Sequence, residues 1–554
     1  MSTAEPPNQS ATQTPAIRFQ AVAPPGFTSG VLEVASHSLR SSTPQERPAG
    51  YAALLKDLTI TDYTPQTQTY LTASPHAIKK PKEEVDSYGR VHRLLPGRTA
   101  QQEGIGGQLT FALKHDGVDL EALRLIFKQL HPPDLTKFIQ SSPWADDHRR
   151  LWFLYEWITE KTLDLPGGYR TSHVPLLDPK RYVTCEQGRS TRHGIIVNVL
   201  GSPQLCPTIR RTPTYEAVSL ENPLAKRDQL SQKLTGDLSE RINSFLITQE
   251  SKGSFAIEGE TPDHKSDAIF YSLLESITTT PRPLITSALL HDFQKRLLNG
   301  RESPPGNNYR TSQVWVGDRK GYIPIPKHIA PLAQDVPALM GEYCKTTNWL
   351  SQQAHTQRLD PIAAASAVSG TFAYIHPFMD GNGRLGRLLL QQSLTTHEGT
   401  QRLYLPISAT INRNREKYYD ALNAWSRPLV ERIKYQPKDG GILVQEETKD
   451  LYRFPDLTKY NDYIAQCCLE SVNVDLTNER KTLAIFDHVQ PALAGYGLSE
   501  QKVELLFKIT KQNNWKIAKG KLKYFPQLKP EDVAKIETML AAADQKTEPT
   551  TNRP

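Results

Sequence analysis

The chain has 554 residues, of which 38% are hydrophobic and 8% aromatic, so it can bury ordinary cores and is too long for one compact domain. No apolar run approaches the roughly 18 residues of a membrane helix, which argues against a helical membrane protein. The net charge of +7 is spread along the chain rather than gathered in blocks, so nucleic acid is not expected as a partner. Five cysteines without metal-ligand spacing point to reduced thiols and a cytoplasmic location.

In chain order, residues 1–50 are rich in Ser, Thr and Pro, carry no basic-then-apolar leader, and read as a disordered tail. Residues 51–225 read as a mixed α/β module. Its helical periodicity is clearest over 119–127 and 150–158, and a Pro- and Gly-punctuated stretch follows with a short strand near 194–200. Residues 226–430 read as the next unit. Within it, Ser254 and Glu258 stand four apart, so a helix brings hydroxyl and carboxylate onto one face, and Gly259 supplies a natural stop. Residues 306–317 run into a second β-prone piece at 322–326, which predicts a hairpin. An Ala-rich helix at 360–374 then presents His376 at its end.

The stretch that carries chemistry is 376–387, His-Pro-Phe-Met-Asp-Gly-Asn-Gly-Arg-Leu-Gly-Arg. Gly381-Asn382-Gly383 lets the backbone reach positive φ and point successive N–H groups at an anion. Arg384 and Arg387 open an apolar helix, share one of its faces, and can fork onto adjacent phosphoryl oxygens at an N-terminus that itself favours negative charge. Asp380 is a hard oxygen ligand suited to Mg²⁺, and His376 stands across the turn as a general base. Phe378 is best read as an apolar anchor for this loop. Further on, the stretch 411–422 carries Tyr418 and Tyr419. Residues 431–460 read as a polar linker and 461–544 as a small helical module with one candidate strand, winged-helix-like in outline. Its lysines (508, 511, 516, 519, 521 and 523) are most simply a solvated face. Residues 545–554 read as a second disordered tail.

The pattern His-Pro-Phe-x-Asp-Gly-Asn-Gly-Arg-x-x-Arg resembles the signature of Fic-domain proteins, with every specified position filled. The resemblance implies a mainly α fold with a β-hairpin flap. It also implies transfer of AMP from ATP, with Mg²⁺, to a Ser, Thr or Tyr hydroxyl of a target protein. His376 would then be the base, Asp380 the metal ligand, and Gly381, Asn382, Gly383, Arg384 and Arg387 the phosphate contacts. Ser254-Phe255-Ala256-Ile257-Glu258-Gly259 is similar to the family's inhibitory motif, in which the glutamate pairs with the second signature arginine, here Arg387. The hairpin is similar to the Fic flap, which pairs with the target backbone by β-augmentation. Trp315 and Ile323 either clamp the target side chain or pack the hairpin onto the core, and Val316 and Gly317 are candidate nucleotide contacts. Tyr419 is the preferred neighbour of adenine and Tyr418 the second choice. Some relatives carry an Asn seven residues past that tyrosine, where this chain has Ser426. Residues 51–225 resemble an N-terminal region of larger Fic proteins, which assigns them no chemistry.

Glu258 could equally position water for the reverse reaction, removal of AMP. The competing reading from another class is a nucleotide-responsive regulatory protein whose C-terminal module binds DNA or a partner protein. Homo-oligomer formation stays open at this stage.

Overall fold

The computed structural model describes residues 46–99, 104–167, 172–234, 236–279, 283–298, 309–395, 403–438, 441–511 and 513–546. The predicted tails lie outside these residues except at their inner ends, as do Gly306–Asn308 before the hairpin.

The N-terminal module starts inside the stretch expected to be disordered. Strand β1 (Glu46–Ala49) pairs antiparallel with β2 (Thr67–Thr72), and helix α1 (Tyr51–Asp57) lies between them. Strands β3 (Lys82–Val85) and β4 (Val91–Leu95) complete a sheet of order β1-β2-β4-β3, with β2 and β4 parallel. Helices α2 (Gly104–His115), α3 (Leu120–Gln129), α4 (Pro132–Ser141) and α5 (Asp146–Thr159) follow. The Asp119 side chain caps α3 by accepting from the Ala122 N–H. The aromatic face of α5 does bury: Trp152, Phe153 and Tyr155 belong to this module's core. Short strands β5 (Val174–Pro175), β6 (Gly188–Ser190) and β7 (Ile195–Val197) form a second sheet of order β5-β7-β6.

The largest core belongs to the helical unit. It is built from α6 (Pro213–Glu221), α7 (Pro223–Gln232), α8 (Gly236–Ile257), α9 (His264–Thr279) and α10 (Ser287–Leu298). The hairpin of β8 (Trp315–Lys320) and β9 (Ile323–Ile329) precedes α11 (Val336–His355) and α12 (Pro361–Ile375). Helices α13 (Asn382–Leu394), α14 (Ile407–Arg413) and α15 (Arg415–Val430) close the unit. Apart from Pro361 and Ala373, α12 is buried all round, because Ala, Gly and Ser let its neighbours approach closely; a Cβ on Gly370 would meet Tyr460 and Leu457 at 3.0 Å.

Two expected boundaries shift. The region read as a linker is ordered and packed: β10 (Tyr435–Lys438) and β11 (Gly441–Val444) pair, and Tyr452 and Leu457 are buried in the large core. Helix α16 (Thr458–Glu470), assigned by sequence to the C-terminal module, belongs to that same core through Tyr460, Ile464 and Cys468. The separate C-terminal core begins only around Ile485, on α17 (Thr477–Ala494), α18 (Glu500–Lys511) and α19 (Pro530–Lys546). No strand, and so no wing, occurs among the described residues of this module. No helix among the described residues is long and apolar enough to cross a membrane.

Candidate active site

Asp360 caps α12 by accepting from the N–H groups of Ile362 and Ala363, and Pro361 opens the helix with its φ already set. The helix ends on His376, which takes the left-handed conformation (φ 50°, ψ 60°), a rare state for a residue with a Cβ. The chain turns there, runs through Pro377–Asp380, and re-enters helix at α13 with Gly381 at φ 83° as its N-cap. Two helix ends therefore face one loop. Phe378 anchors that loop in the core against Phe372, His291 and Tyr309. The Asn382 side chain closes it, accepting from the Phe378 N–H at 3.0 Å and donating to the Phe378 carbonyl at 2.8 Å. Asn382 can thus meet a phosphate only through its backbone N–H.

His376 Nδ1 lies 3.3 Å from the Ala373 carbonyl. A carbonyl can only accept, so Nδ1 carries the proton and the Nε2 lone pair stays free to take one. Burial, helped by the charge of Arg310, pushes the imidazole down to about 4, against its ordinary 6.5. The imidazole is therefore neutral at physiological pH.

Asp380 accepts from the Gly381 N–H at 2.5 Å and from Arg384 Nη2 at 3.4 Å. Among the described residues no group of three or more His, Cys, Asp or Glu could hold a metal ion. A single, partly exposed carboxylate at the mouth of an anion loop fits Mg²⁺, which takes one or two protein oxygens and fills its shell with substrate phosphates and water.

Both arginines are already engaged. Arg387, 2% exposed, donates through Nε to Ser254 Oγ and through Nη2 to the Ser254 carbonyl and Glu258 Oε1, each at 2.8 Å. Burial opposes its charge most strongly, but Glu258, Tyr418 and Glu250 together outweigh it and hold the guanidinium above its ordinary value. The Glu258 carboxylate also covers Gly383: a Cβ there would collide with Oε1. It thus sits on the N-terminal end of α13, where a phosphate would bind. Helix α8 ends at Ile257, and Gly259 at φ 72° turns the chain as expected.

Beyond that turn, Glu260 Oε2 lies 3.2 Å from Arg384 Nη1, so the first arginine is held as well. Sequence reading missed Glu260. The available signal was its place one residue beyond the motif and two from Glu258, on the strap facing the same loop. Arg384 also lies over the Phe255 ring, 5.2 Å from its centre.

The two tyrosines part company. Tyr418 is buried beside Tyr460 and Tyr463, with Arg387 acting on its hydroxyl, and so faces the core rather than the open site. Tyr419 is half-exposed and donates to the Ile257 carbonyl at 3.1 Å, across the end of α8. Ser426 is buried and bonds back to the Leu422 carbonyl, which leaves it no role at the site mouth. On the hairpin, Ile323 and Val316 are exposed, while Trp315 is half-buried against the large core with Arg319 over its ring. Gly317 sits at the β-bulge, where a Cβ would strike the Ile325 carbonyl.

Residues 284–394 match the Fic/DOC family. The chain is 25% identical over 382 residues to Protein adenylyltransferase Fic of Aedes aegypti, covering 65% of this chain and 67% of that one. It is 24% identical over 451 residues to the Culex quinquefasciatus protein of the same name, covering 77% and 79%. For the Drosophila melanogaster protein the values are 29% over 244 residues, with 41% of this chain and less than half (43%) of the relative's length aligned. Among solved structures, Fic-1 (aa134–508) from C. elegans aligns with TM-score 0.32 and 15% identity over 67% of this chain and 97% of that one. A Fic family protein from Desulfovibrio desulfuricans G20 aligns with TM-score 0.33 and 18% identity over 55% and 88%.

Proposed function

We propose, from the premise that residues 284–394 of this chain are a Fic domain, that the protein transfers AMP from ATP to a hydroxyl of a target protein and is held in check by Glu258. The observation that carries this reading is the loop itself: a neutral imidazole with one free nitrogen and an anion-binding helix end crowned by two arginines, twelve residues in all.

The attacking Ser, Thr or Tyr oxygen forms its bond to the α-phosphorus while its proton passes to His376 Nε2. The bond from the α-phosphorus to the bridging oxygen breaks, and pyrophosphate leaves in line. Backbone N–H groups of Gly381, Asn382 and Gly383 hold the phosphates at the positive end of α13. Arg384 holds the β-phosphate and Arg387 the γ-phosphate once their carboxylates release them. Asp380 would hold Mg²⁺, which supplies charge neutralisation on the phosphates when bound. Tyr419 borders the adenine. The free edge of the hairpin takes the target backbone, with Ile323 against the target side chain and Val316 and Gly317 near the nucleotide.

The inhibition is competitive in kind. While Glu258 occupies the helix end and Arg387, the γ-phosphate has no seat and the α-phosphate cannot be aimed. Tenfold to hundredfold repression requires about 1.4–2.8 kcal/mol of differential stabilisation, well within one desolvated ion pair. Incubation of Glu258→Gly with α-labelled ATP and magnesium tests the reading: self-labelling should appear and should vanish in Glu258→Gly/His376→Ala. Labelling that persists without His376 rejects the base, and no labelling with any of the four NTPs rejects nucleotidyl transfer.

A further inference from the structure

We propose that Arg310 is a positioning residue for the transfer, tying both feet of the hairpin to the backbone of the base. Its guanidinium is 2% exposed and donates only to carbonyls: Nε to His376 at 2.8 Å, Nη1 to Ser312 at 3.0 Å, and Nη2 to Pro331 at 2.6 Å. Its own N–H adds a fourth bond, to the Pro377 carbonyl at 2.9 Å. Among the described residues no carboxylate pairs with it, and burial pushes it down to about 10.

A buried charge without a counter-ion is an expensive way to fill space, and an apolar side chain would pack there at less cost. What a guanidinium offers instead is a rigid planar fork with several donors at fixed angles. Here each donor ends on a different piece of the site. Ser312 lies three residues before β8 and Pro331 two residues after β9, so two bonds clamp the base of the hairpin. The third falls on the carbonyl of His376, the residue held in the unfavourable left-handed conformation. One side chain therefore sets the distance and angle between the hairpin, where the acceptor docks, and the imidazole that receives its proton. None of its bonds reaches Gly381–Arg387, so nucleotide binding is left outside its influence.

Acceptor and base must meet within a few tenths of an ångström for proton transfer, and small misplacement is costly in rate. The inference rests on the transfer reading above, so the test carries a readout independent of activity. In the Glu258→Gly background, Arg310→Met and Arg310→Lys are compared with the parent. Affinity for a non-hydrolysable ATP analogue, self-labelling rate at saturating ATP, and hydrogen exchange without nucleotide are measured. Arg310→Met should slow labelling about tenfold or more while analogue affinity stays within about threefold of the parent. Exchange should rise at 312–316 and 329–331 and not across the large core. Arg310→Lys keeps the charge but cannot span three carbonyls, and should fall between the two. Unchanged rates, a loss that tracks analogue affinity, or failure of both variants to fold would overturn the role. If Arg310→Met alone fails to fold, the Lys variant decides by its rate. If the parent itself is inert, the transfer reading fails, and the exchange pattern alone upholds or rejects the clamp.

Discussion

Glu258 reaches Arg387 with one carboxylate oxygen at 2.8 Å while the same oxygen roofs Gly383, so a single side chain both engages the cation and covers the helix end. These two effects come off together. Glu258→Gly is expected to raise ATP-dependent self-labelling by about tenfold to hundredfold, with the fold retained because the carboxylate is partly exposed. The check is the initial rate with α-labelled ATP.

Glu260 holds Arg384, and it does so from a more solvent-accessible position than the buried cation it faces. Water screens such a pair, so its worth is about 0–1 kcal/mol. Glu260→Gln added to Glu258→Gly should tighten binding of a non-hydrolysable ATP analogue by up to about fivefold, measured by calorimetry. A weaker affinity would mean that Glu260 helps to hold the nucleotide and does not compete with it.

His376→Ala should remove about 10²–10⁴-fold of the labelling rate, the usual worth of a positioned imidazole base. Analogue affinity should be nearly unchanged, because neither the glycines nor the arginines depend on this side chain. Asp380→Ala should instead lower labelling in a way that added magnesium partly restores.

The pH response has a definite sign. Burial lowers His376 to about 4 and His328, whose Nε2 bonds the Tyr374 carbonyl, to about 3. Between their ordinary 6.5 and those values the unfolded chain binds more protons than the native one, so stability falls as pH drops through this window. His328→Gln should flatten part of that fall in a thermal melt series from pH 7 to 4.5.

Glu250 works in the opposite direction. Burial raises its carboxyl to about 7, against the bonds it accepts from the Ser408 N–H and hydroxyl. Its contribution is complete below 4.5 and is lost as pH rises through about 7. Glu250→Gln keeps partners for Ser408 and should remove this slope. An unchanged melting profile from pH 5 to 8 would reject it.

Local chemistry made much of the site readable. The spacing of Ser254 and Glu258, the hairpin at 315–329, and the Gly-Asn-Gly turn before two arginines all depend on near neighbours, whose geometry follows from backbone preferences. The boundaries were harder. Residues 431–460 look polar and Pro/Gly-punctuated, yet Tyr452 and Leu457 enter the large core, and α16 was assigned to the wrong unit because its apolar face says that it packs but not on what. Tyr418 and Tyr419 are adjacent in sequence and point to different surroundings, which composition cannot distinguish.

The twelve residues from His376 to Arg387 specify the turn into a helix end by themselves, since positive φ at Gly381 and the polarity of a helix end need no distant partner. Which groups meet that turn is a matter of folding: Glu258 and Glu260 arrive from more than a hundred residues away, and Arg310 gathers carbonyls from the hairpin region and from His376. Such contacts are fixed by packing of whole helices, and no periodicity within one segment encodes the segment it will touch.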